Sequence, residues 1–218
     1  MDGVVIYGVG SPIVTDVQES LARAAIPIAA AVRNFPCEVH LLEGTSTIEP
    51  LELTPALLAL PFLAPFFTPA NRQKVVREAI AAGFGTGFSL LDPTVPHSSS
   101  LRHGRGIYVN SGCTLGAASQ FGEWVFINRG ASIGHHARFG DFVSIGPGAV
   151  VSGSVSLGRG CVVGAGAVVL PELSIGNNSV VGAGSVVTKD VADNCLVLGI
   201  PAKVIRTDIP GFGNQSVI

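Results

Sequence analysis

A strict six-residue period runs through the second half of the chain and limits the folds open to it. From Val109 to Val187, every sixth residue is Val, Ile, Leu or Phe, without exception over fourteen positions. Glycine follows nine of these fourteen residues, and a small residue precedes most of them by two positions, as at Cys113, Ala131 and Ala149. A period of six fits neither an α-helix, with 3.6 residues per turn, nor a plain alternating strand.

The period instead predicts short strands and turns wound into a parallel β-helix. Three hexads would form one triangular coil, and stacked coils would align the aliphatic side chains inside a prism. One such internal ladder would contain Val109, Ile127, Ile145, Val163 and Val181. We expect the glycine or asparagine after each aliphatic residue to turn the corner with a positive φ.

The surface of such a prism would carry little charge, since only six charged residues fall between positions 109 and 187. Flat faces with little charge are suited to packing against identical faces. We therefore expect the prisms to associate, most simply as a homotrimer.

The first ninety residues lack the hexads and alternate between strand and helix patterns. The pattern predicts strands at 3–9, 38–42 and 57–67, and helices at 14–31 and 71–82. Gly83 would cap the second helix. This alternation indicates a small Rossmann-like α/β domain with a parallel sheet.

These patterns divide the chain into three parts. We expect an α/β substrate-binding domain at 1–92, a β-helix at 93–206 and a C-terminal tail at 207–218. The first strand runs into a turn that contains Gly8, Gly10 and Ser11. Such a turn can hold a phosphate on backbone N–H groups at a helix start, but the same residues also make an ordinary tight turn, so both readings stay open.

Composition excludes several classes of partner. The chain is 47% hydrophobic and 13% charged, has a net charge of −2 and shows no basic stripe, so nucleic acid is not an expected partner. The apolar stretch at 56–67 is broken by Pro61 and Pro65 and is too short to span a bilayer, which predicts no membrane segment. Four widely spaced cysteines and a start without a basic leader predict a cytoplasmic protein with free thiols.

The hexads and the closing stretch at 186–204 resemble the left-handed β-helix of hexapeptide-repeat acyltransferases. With a small α/β unit in front, the chain is similar to the NeuD/PglD-like sugar acyltransferases. The resemblance implies transfer of an acetyl group from acetyl-CoA to the amino group of a nucleotide-linked amino sugar, in surface-glycan biosynthesis. The alternative acceptor is a sugar hydroxyl, as in sialic acid O-acetyltransferases.

The segment at 127–149 is similar to the active-site segment of that family, which implies roles for individual residues. His135 aligns with the general base, and the N–H of Gly153 with the donor to the oxyanion, while Asn128 would hold the substrate or order the site. The active sites would lie between subunits of the homotrimer. The resemblance also implies residues that bind CoA, namely Ser144, Ala165, Ala183, Lys189 and Lys203.

The match to the family is looser in the first domain. The resemblance implies that the nucleotide end of the substrate contacts Gly8, Gly10 and Ser11. It also implies that the acidic residue found after the family's second strand corresponds to Glu43. Pro12 stands where the family has a histidine, which leaves open whether this domain binds a nucleotide.

The residue after the general base also departs from the family. Many members have an acidic residue there, whereas this chain has His136, which cannot act as an anion. We consider two hypotheses. Either His135 is a weaker base, or another group, such as Asp141 or a backbone carbonyl, orients it.

Two functions other than acyl transfer are open to a β-helix of this kind. The γ-type carbonic anhydrases share this β-helix, but their zinc needs three imidazoles and no histidine follows His136 here, so no metal is expected. The other rival is a non-catalytic trimeric scaffold, in which His135 is a hydrogen-bonded corner residue. Binding of CoA without turnover would favour the scaffold.

Overall fold

The computed structural model describes residues 3–218. An N-terminal parallel sheet has the strand order β3-β2-β1-β4. Its strands are β1 (Val4–Tyr7), β2 (Ile28–Val32), β3 (Thr47–Ile48) and β4 (Phe62–Leu63). Its helices are α1 (Val14–Arg23), α2 (Pro55–Leu58) and α3 (Pro69–Ala82), with a 3₁₀ turn at Pro50–Glu52. The predicted α/β class is therefore confirmed.

Two predicted elements of this domain are wrong, and a third, the strand predicted at 57–67, is reduced to β4 because its first residues belong to α2. The helix predicted at 14–31 ends at Arg23, since Ala25 takes a left-handed conformation (φ +54°) shortly before Pro27, and the next residues form β2 in parallel register with β1. The strand predicted at 38–42 is irregular chain. The helix predicted at 71–82 is present as α3, and Gly83 caps it with φ of +111°.

The hexads form a left-handed parallel β-helix with three faces, as predicted. The first face has β5 (Leu90–Leu91), β7 (Tyr108–Val109), β10 (Phe126–Ile127), β13 (Ser144–Ile145), β16 (Val162–Val163), β19 (Val180–Val181) and the hairpin of β21 (Leu196–Gly199) and β22 (Ala202–Arg206). The second face has β8 (Thr114–Leu115), β11 (Ser132–Ile133), β14 (Val150–Val151), β17 (Val168–Val169) and β20 (Val186–Val187). The third face has β6 (Arg102–His103), β9 (Gln120–Phe121), β12 (Arg138–Phe139), β15 (Ser156–Leu157) and β18 (Ser174–Ile175).

The inside of the prism matches the sequence pattern. All fourteen aliphatic and aromatic residues of the period are buried, and the predicted ladder from Val109 to Val181 pairs in register through successive coils. The small residues two positions earlier, such as Cys113 and Ala149, are also fully buried. All four cysteines are free thiols. No helix within residues 3–218 is long and apolar enough to cross a membrane.

The corners of the prism correct one expectation. Positive φ occurs at the third residue after thirteen of the fourteen inward positions, as at Gly130 and His136, and not at the residue directly after them. The directly following glycines serve a different need, since a Cβ on Gly134 would lie 2.4 Å from the nitrogen of Gly153, and one on Gly146 would lie 2.5 Å from that of Ala165. Glycine is required there because the next coil passes too close for any side chain.

The turns between the faces stack into three edges of the prism. The first edge follows the first face and contains 128–130, 146–148, 164–166 and 182–184. The second edge follows the second face and contains 134–136, 152–154, 170–172 and 188–190. The third edge follows the third face and contains 122–124, 140–142 and 158–160.

The N-terminal domain packs on the first face. The outward side chains of Tyr108 and Phe126 are buried with Val4, Ile6 and Leu21 of the α/β domain in one apolar cluster. Farther along this face, Val162 and Val180 are covered by the tail. The outward residues of the second face are mostly exposed, whereas Trp124 and Phe142 of the third edge also pack against the α/β domain.

A buried carboxylate ties α1 to the start of the prism. Asp92 is 1% exposed and accepts hydrogen bonds from Arg23 (2.7 and 2.9 Å), from the hydroxyl of Ser20 (2.7 Å) and from Thr94. Burial alone would raise the pKa of Asp92, but these hydrogen bonds outweigh it and lower the pKa to about 2. The charged form of Asp92 therefore stabilises the junction.

The variant Asp92→Asn tests this junction. We expect the free energy of unfolding to fall by about 2 kcal/mol at pH 7, because the carboxylate is favoured in the folded state. A depressed pKa gives stability that is present above the unfolded pKa and is lost as pH falls from about 4 to about 2. Urea unfolding of both proteins at several pH values should show the difference shrinking over that window, with the exposed Asp208→Asn as control. A difference that is constant with pH would contradict the assignment.

Candidate active site

Two histidines and a glycine meet on the second edge. The imidazole of His135 lies against Gly153 of the next coil, where an added Cβ would be 2.7 Å from Cε1 and 2.8 Å from Nε2. Both His135 and His136 are exposed in the single chain. Because a glycine occupies position 153, the ring can lie directly on the backbone of that turn.

The two histidine side chains are in direct contact. Their Nδ1 atoms are 3.0 Å apart, and the ring planes are nearly perpendicular at 85°. His136 has φ of +57°, the left-handed conformation of the third corner residue, and this turns its side chain back towards His135. In the neutral pair one Nδ1 donates and the other accepts, which leaves Nε2 of His135 free to face Gly153.

The backbone N–H of Gly153 has no acceptor within residues 3–218. The carbonyl of the same residue accepts from the N–H of Glu172 (3.0 Å), which fixes the peptide in the stack of coils. His135 contributes its carbonyl to the N–H of Ser154 (2.8 Å). A fixed, unpaired donor beside a free imidazole nitrogen is the arrangement needed to remove a proton and to bind a developing oxyanion.

The first edge carries a separate, mostly apolar groove of about 320 Å³. It brings together Asn128, which the sequence assigned to the catalytic group, and Ala165 and Ala183, which it assigned to CoA binding. Phe67 and Phe212 form the opposite wall. The N–H groups of Ala165 and Ala183 have no acceptor within residues 3–218, so the groove offers backbone donors to a ligand along its length.

Asn128 is held at the rim of this groove by a polar chain. Its Oδ1 accepts from Nδ2 of Asn110 (3.1 Å) and from the N–H of Arg129 (2.8 Å). Asn110 in turn contacts Asp16 of α1 (3.1 Å). These contacts fix the amide at the rim of the groove, and the role of Asn128 in holding the substrate or ordering the site stays a prediction.

One predicted CoA-binding residue is wrong as assigned. Ser144 is fully buried on the first face, where its hydroxyl donates to the carbonyl of Phe67 (2.6 Å) and accepts from Arg72 (3.1 Å). Its side chain therefore does not line the groove. Lys189 lies exposed on the second edge, three coils beyond His135, and Lys203 lies exposed on β22. Neither lysine lines the groove of the single chain.

A second pocket, of about 160 Å³, lies at the carboxyl edge of the N-terminal sheet. Ligands of open parallel sheets bind at this edge. Its charged and amide side chains are Asn34, Asn71, Lys74 and Glu78, and Phe35, Phe66 and Val75 complete the lining. The Oδ1 of Asn34 is the one buried side-chain polar atom within residues 3–218 that has no hydrogen-bond partner.

The predicted substrate residues do not line this pocket. A Cβ on Gly8 would lie 2.5 Å from the ring of Phe66, and one on Gly10 would lie 2.9 Å from Sγ of Cys37, so protein side chains fill the space above both glycines. Ser11 forms the turn into α1, where its carbonyl accepts from Val14.

The assignment of Glu43 is wrong, because it rested on the misplaced strand at 38–42. Glu43 is an exposed loop residue, and the residues that follow the true second strand are Arg33 and Asn34, of which Asn34 lines the pocket. With β2 placed at 28–32, the sequence would have predicted Asn34 as a candidate site residue at the carboxyl end of this strand. No group of three side chains suited to hold a metal ion occurs within residues 3–218.

Comparisons with known proteins agree with this arrangement. Residues 136–171 and 154–189 match the bacterial transferase hexapeptide repeat (six repeats). A variant of perosamine N-acetyltransferase from Caulobacter crescentus, in complex with CoA and GDP-perosamine, is 32% identical over 94% of this chain and 97% of that chain, with a TM-score of 0.84. The chain matches no curated protein.

Two further structures are similar. The acetyltransferase domain of PglB from Neisseria gonorrhoeae, in complex with acetyl coenzyme A, is 25% identical over 94% of this chain and 99% of that chain, with a TM-score of 0.82. WeeI from Acinetobacter baumannii shares the fold, at 19% identity over 93% of this chain and 99% of that chain, with a TM-score of 0.71.

The fold and the two edges thus define an acyltransferase. The 32% identity to perosamine N-acetyltransferase extends over nearly the full length of both chains and identifies the family. The chain belongs to the hexapeptide-repeat sugar acyltransferases. The family expected from the sequence is confirmed.

Two neighbouring glycines of the second edge should respond differently to alanine. We expect Gly134→Ala to destabilise the prism by about 1–3 kcal/mol, because its Cβ would meet the backbone of the next coil. Gly153→Ala should change stability little, since its Cβ would meet only the exposed imidazole of His135, but it should lower kcat by displacing that ring. Thermal unfolding and steady-state rates measure both effects. Equal destabilisation by the two variants would contradict this account.

Proposed function

We propose that the enzyme transfers an acetyl group from acetyl-CoA to the amino group of a nucleotide-linked amino sugar, in surface-glycan biosynthesis. The observation that carries the proposal is the free Nε2 of His135 beside the unpaired N–H of Gly153. The relative at 32% identity, which was crystallised with CoA and a GDP-linked amino sugar, supports the same donor and class of acceptor.

The chemistry needs one base and one oxyanion donor. The acceptor nitrogen attacks the thioester carbonyl, forming a C–N bond, while Nε2 of His135 takes the proton from nitrogen. The N–H of Gly153 donates to the oxyanion, a contribution of roughly 3–4 kcal/mol in comparable sites. Collapse of the intermediate breaks the C–S bond, and the CoA thiolate leaves and takes up a proton.

His136 takes the place of the acidic residue found in many relatives. With Nδ1–H of His135 as the donor, Nδ1 of His136 would accept this hydrogen bond, and the lone pair of His135 would lie on Nε2. An imidazole in this role orients the base without the charge stabilisation that a carboxylate would give to an imidazolium.

The apolar groove of the first edge suits the pantetheine arm of CoA. The N–H groups of Ala165 and Ala183 are spaced one coil apart and would donate to the two amide carbonyls of that arm. Lys189 and Lys203 are exposed cations of the closing coils and would contact the phosphates.

The active site requires a second copy of the chain. His135 and Gly153 lie on the second edge, whereas Asn128 and the groove lie on the first edge of the same prism. Prisms packed edge to edge would bring the histidines of one subunit to the groove of its neighbour. A closed ring of this kind is a homotrimer, with three sites between subunits.

The pocket of the N-terminal domain suits the nucleotide end of the acceptor. Lys74 supplies a cation for a phosphate, and Asn34 and Asn71 supply amide groups for the base or ribose. These residues carry the nucleotide contact in place of Gly8, Gly10 and Ser11.

The first experiment follows release of CoA thiol from acetyl-CoA with GDP-, UDP- and dTDP-linked amino sugars and with free sugars. We expect the fastest turnover with one nucleotide-linked amine, slower turnover of the corresponding free amino sugar, and a loss of roughly 10²–10⁴-fold in kcat for His135→Ala. The exposed His103→Ala serves as control. Turnover of a sugar hydroxyl alone would show O-acetylation, and CoA binding without any turnover would show a scaffold.

A second experiment replaces His136. Glu172 and Asn178 already occupy the same left-handed corner position elsewhere in the prism, so His136→Glu and His136→Asn should both fold. The glutamate variant should move the acidic limb of the kcat/KM profile to higher pH, because a carboxylate stabilises the imidazolium form of His135. The neutral asparagine should leave the limb near its wild-type position. Identical profiles for all three proteins would show that position 136 does not act on the base.

A further inference from the structure

Arg72 is a fully buried cation in the first turn of α3, between the two domains. It is 1% exposed, and its guanidinium donates to five backbone carbonyls and to the hydroxyl of Ser144. The carbonyls belong to Phe66, Phe67, Trp124, Phe142 and Val143. Within residues 3–218 no carboxylate lies within salt-bridge distance of it, and burial lowers the pKa of Arg72 to about 9, so it remains charged at neutral pH.

The carbonyls come from three separate segments. Trp124 and Phe142 are left-handed corner residues of the third edge, on successive coils, with φ of +56° and +58°. Phe66 and Phe67 belong to the loop between β4 and α3 of the other domain. The side chain therefore fastens that loop to the prism, with Nε bound to Trp124 (2.8 Å) and Nη2 bound to Phe142 (2.8 Å).

The loop that Arg72 holds is shared by both ligand sites. Phe66 lines the pocket of the N-terminal domain, and its sequence neighbour Phe67 lines the groove of the first edge. Both carbonyls accept from the same nitrogen, Nη1 of Arg72. Phe67 is held further by the hydroxyl of Ser144 and by edge-to-face contacts with Phe126 and Phe212, at 5.7 and 5.9 Å between ring centroids.

Packing alone does not account for an arginine here. A buried charge without a counter-ion is unfavourable, and an apolar side chain would fill the same space without that penalty. What the guanidinium adds is a planar fork of five N–H donors, which can hold several carbonyls at fixed relative positions. Lysine supplies the charge but not the fork.

We propose that Arg72 is a positioning residue. Through the carbonyls of Phe66 and Phe67 it sets the spacing between the pocket of the N-terminal domain and the groove of the first edge. The inference rests on the proposed function. A nucleotide-linked acceptor would occupy the pocket of the N-terminal domain as well as the site of acyl transfer, so its turnover depends on that spacing. A free amino sugar would occupy only the site of acyl transfer, so its turnover does not.

The test compares two acceptors in wild type and Arg72→Lys, namely the nucleotide-linked amino sugar that wild type turns over and the corresponding free amino sugar. We expect kcat/KM for the linked acceptor to fall at least ten-fold, and that for the free sugar to change less than two-fold. Arg77→Lys, on the exposed side of the same helix, is the matched control and should change neither value.

Ser144→Ala provides a milder variant in case Arg72→Lys does not fold. It removes the hydroxyl that binds both Phe67 and Arg72, and we expect the same selective loss at about three-fold. Equal losses for the two acceptors would show a general structural role and overturn the inference, as would no loss for either. A wild type that turns over neither acceptor would instead overturn the proposed function, and the inference with it.

Discussion

Successive coils of the prism run so close together that the corners leave no room for a side chain at one position and force a left-handed residue at another. A Cβ on Gly134, Gly146 or Gly164 would stand within 2.4–2.6 Å of a backbone nitrogen of the next coil. Strand spacing in a parallel sheet is about 4.8 Å, and this spacing fixes which residue of each turn can carry chemistry. His135 occupies the second position of its turn and so reaches over Gly153, while His136 occupies the left-handed third position and turns back to meet it.

The sequence was sufficient for the prism because the same constraint repeats in every hexad. The α/β domain has no such repetition, and there tertiary contacts override local pattern. The segment at 28–32 contains three alanines, which favour a helix, so the sequence predicted the end of a helix there. In the structure it pairs with β1, because the buried strand β1 needs hydrogen-bond partners along this edge. Because the second strand was predicted at 38–42, Glu43 was expected to follow it, whereas the true second strand is followed by Arg33 and Asn34.

The site was predictable to the extent that it lies in the hexads. Counting in sixes places His135 at a corner, and the resemblance to the family implied roles for Gly153, Asn128, Ala165 and Ala183; the structure places these five residues on two edges of the prism. Counting could not show that the outward residues of the first face are covered by the other domain. Ser144 and Arg72 are joined across that contact, 72 residues apart in sequence, so their roles depend on the packing of the two domains.

The coil is also a unit of length. His135 and Lys189 stand on one edge three coils apart, which at the usual strand spacing corresponds to about 14 Å along the prism. Loss or gain of a complete coil between them would shorten or lengthen this separation by one strand spacing and leave every side chain on its own face. The distance between the His135 corner and a side chain farther along the same edge can therefore change only in discrete steps, with the corner itself unaltered.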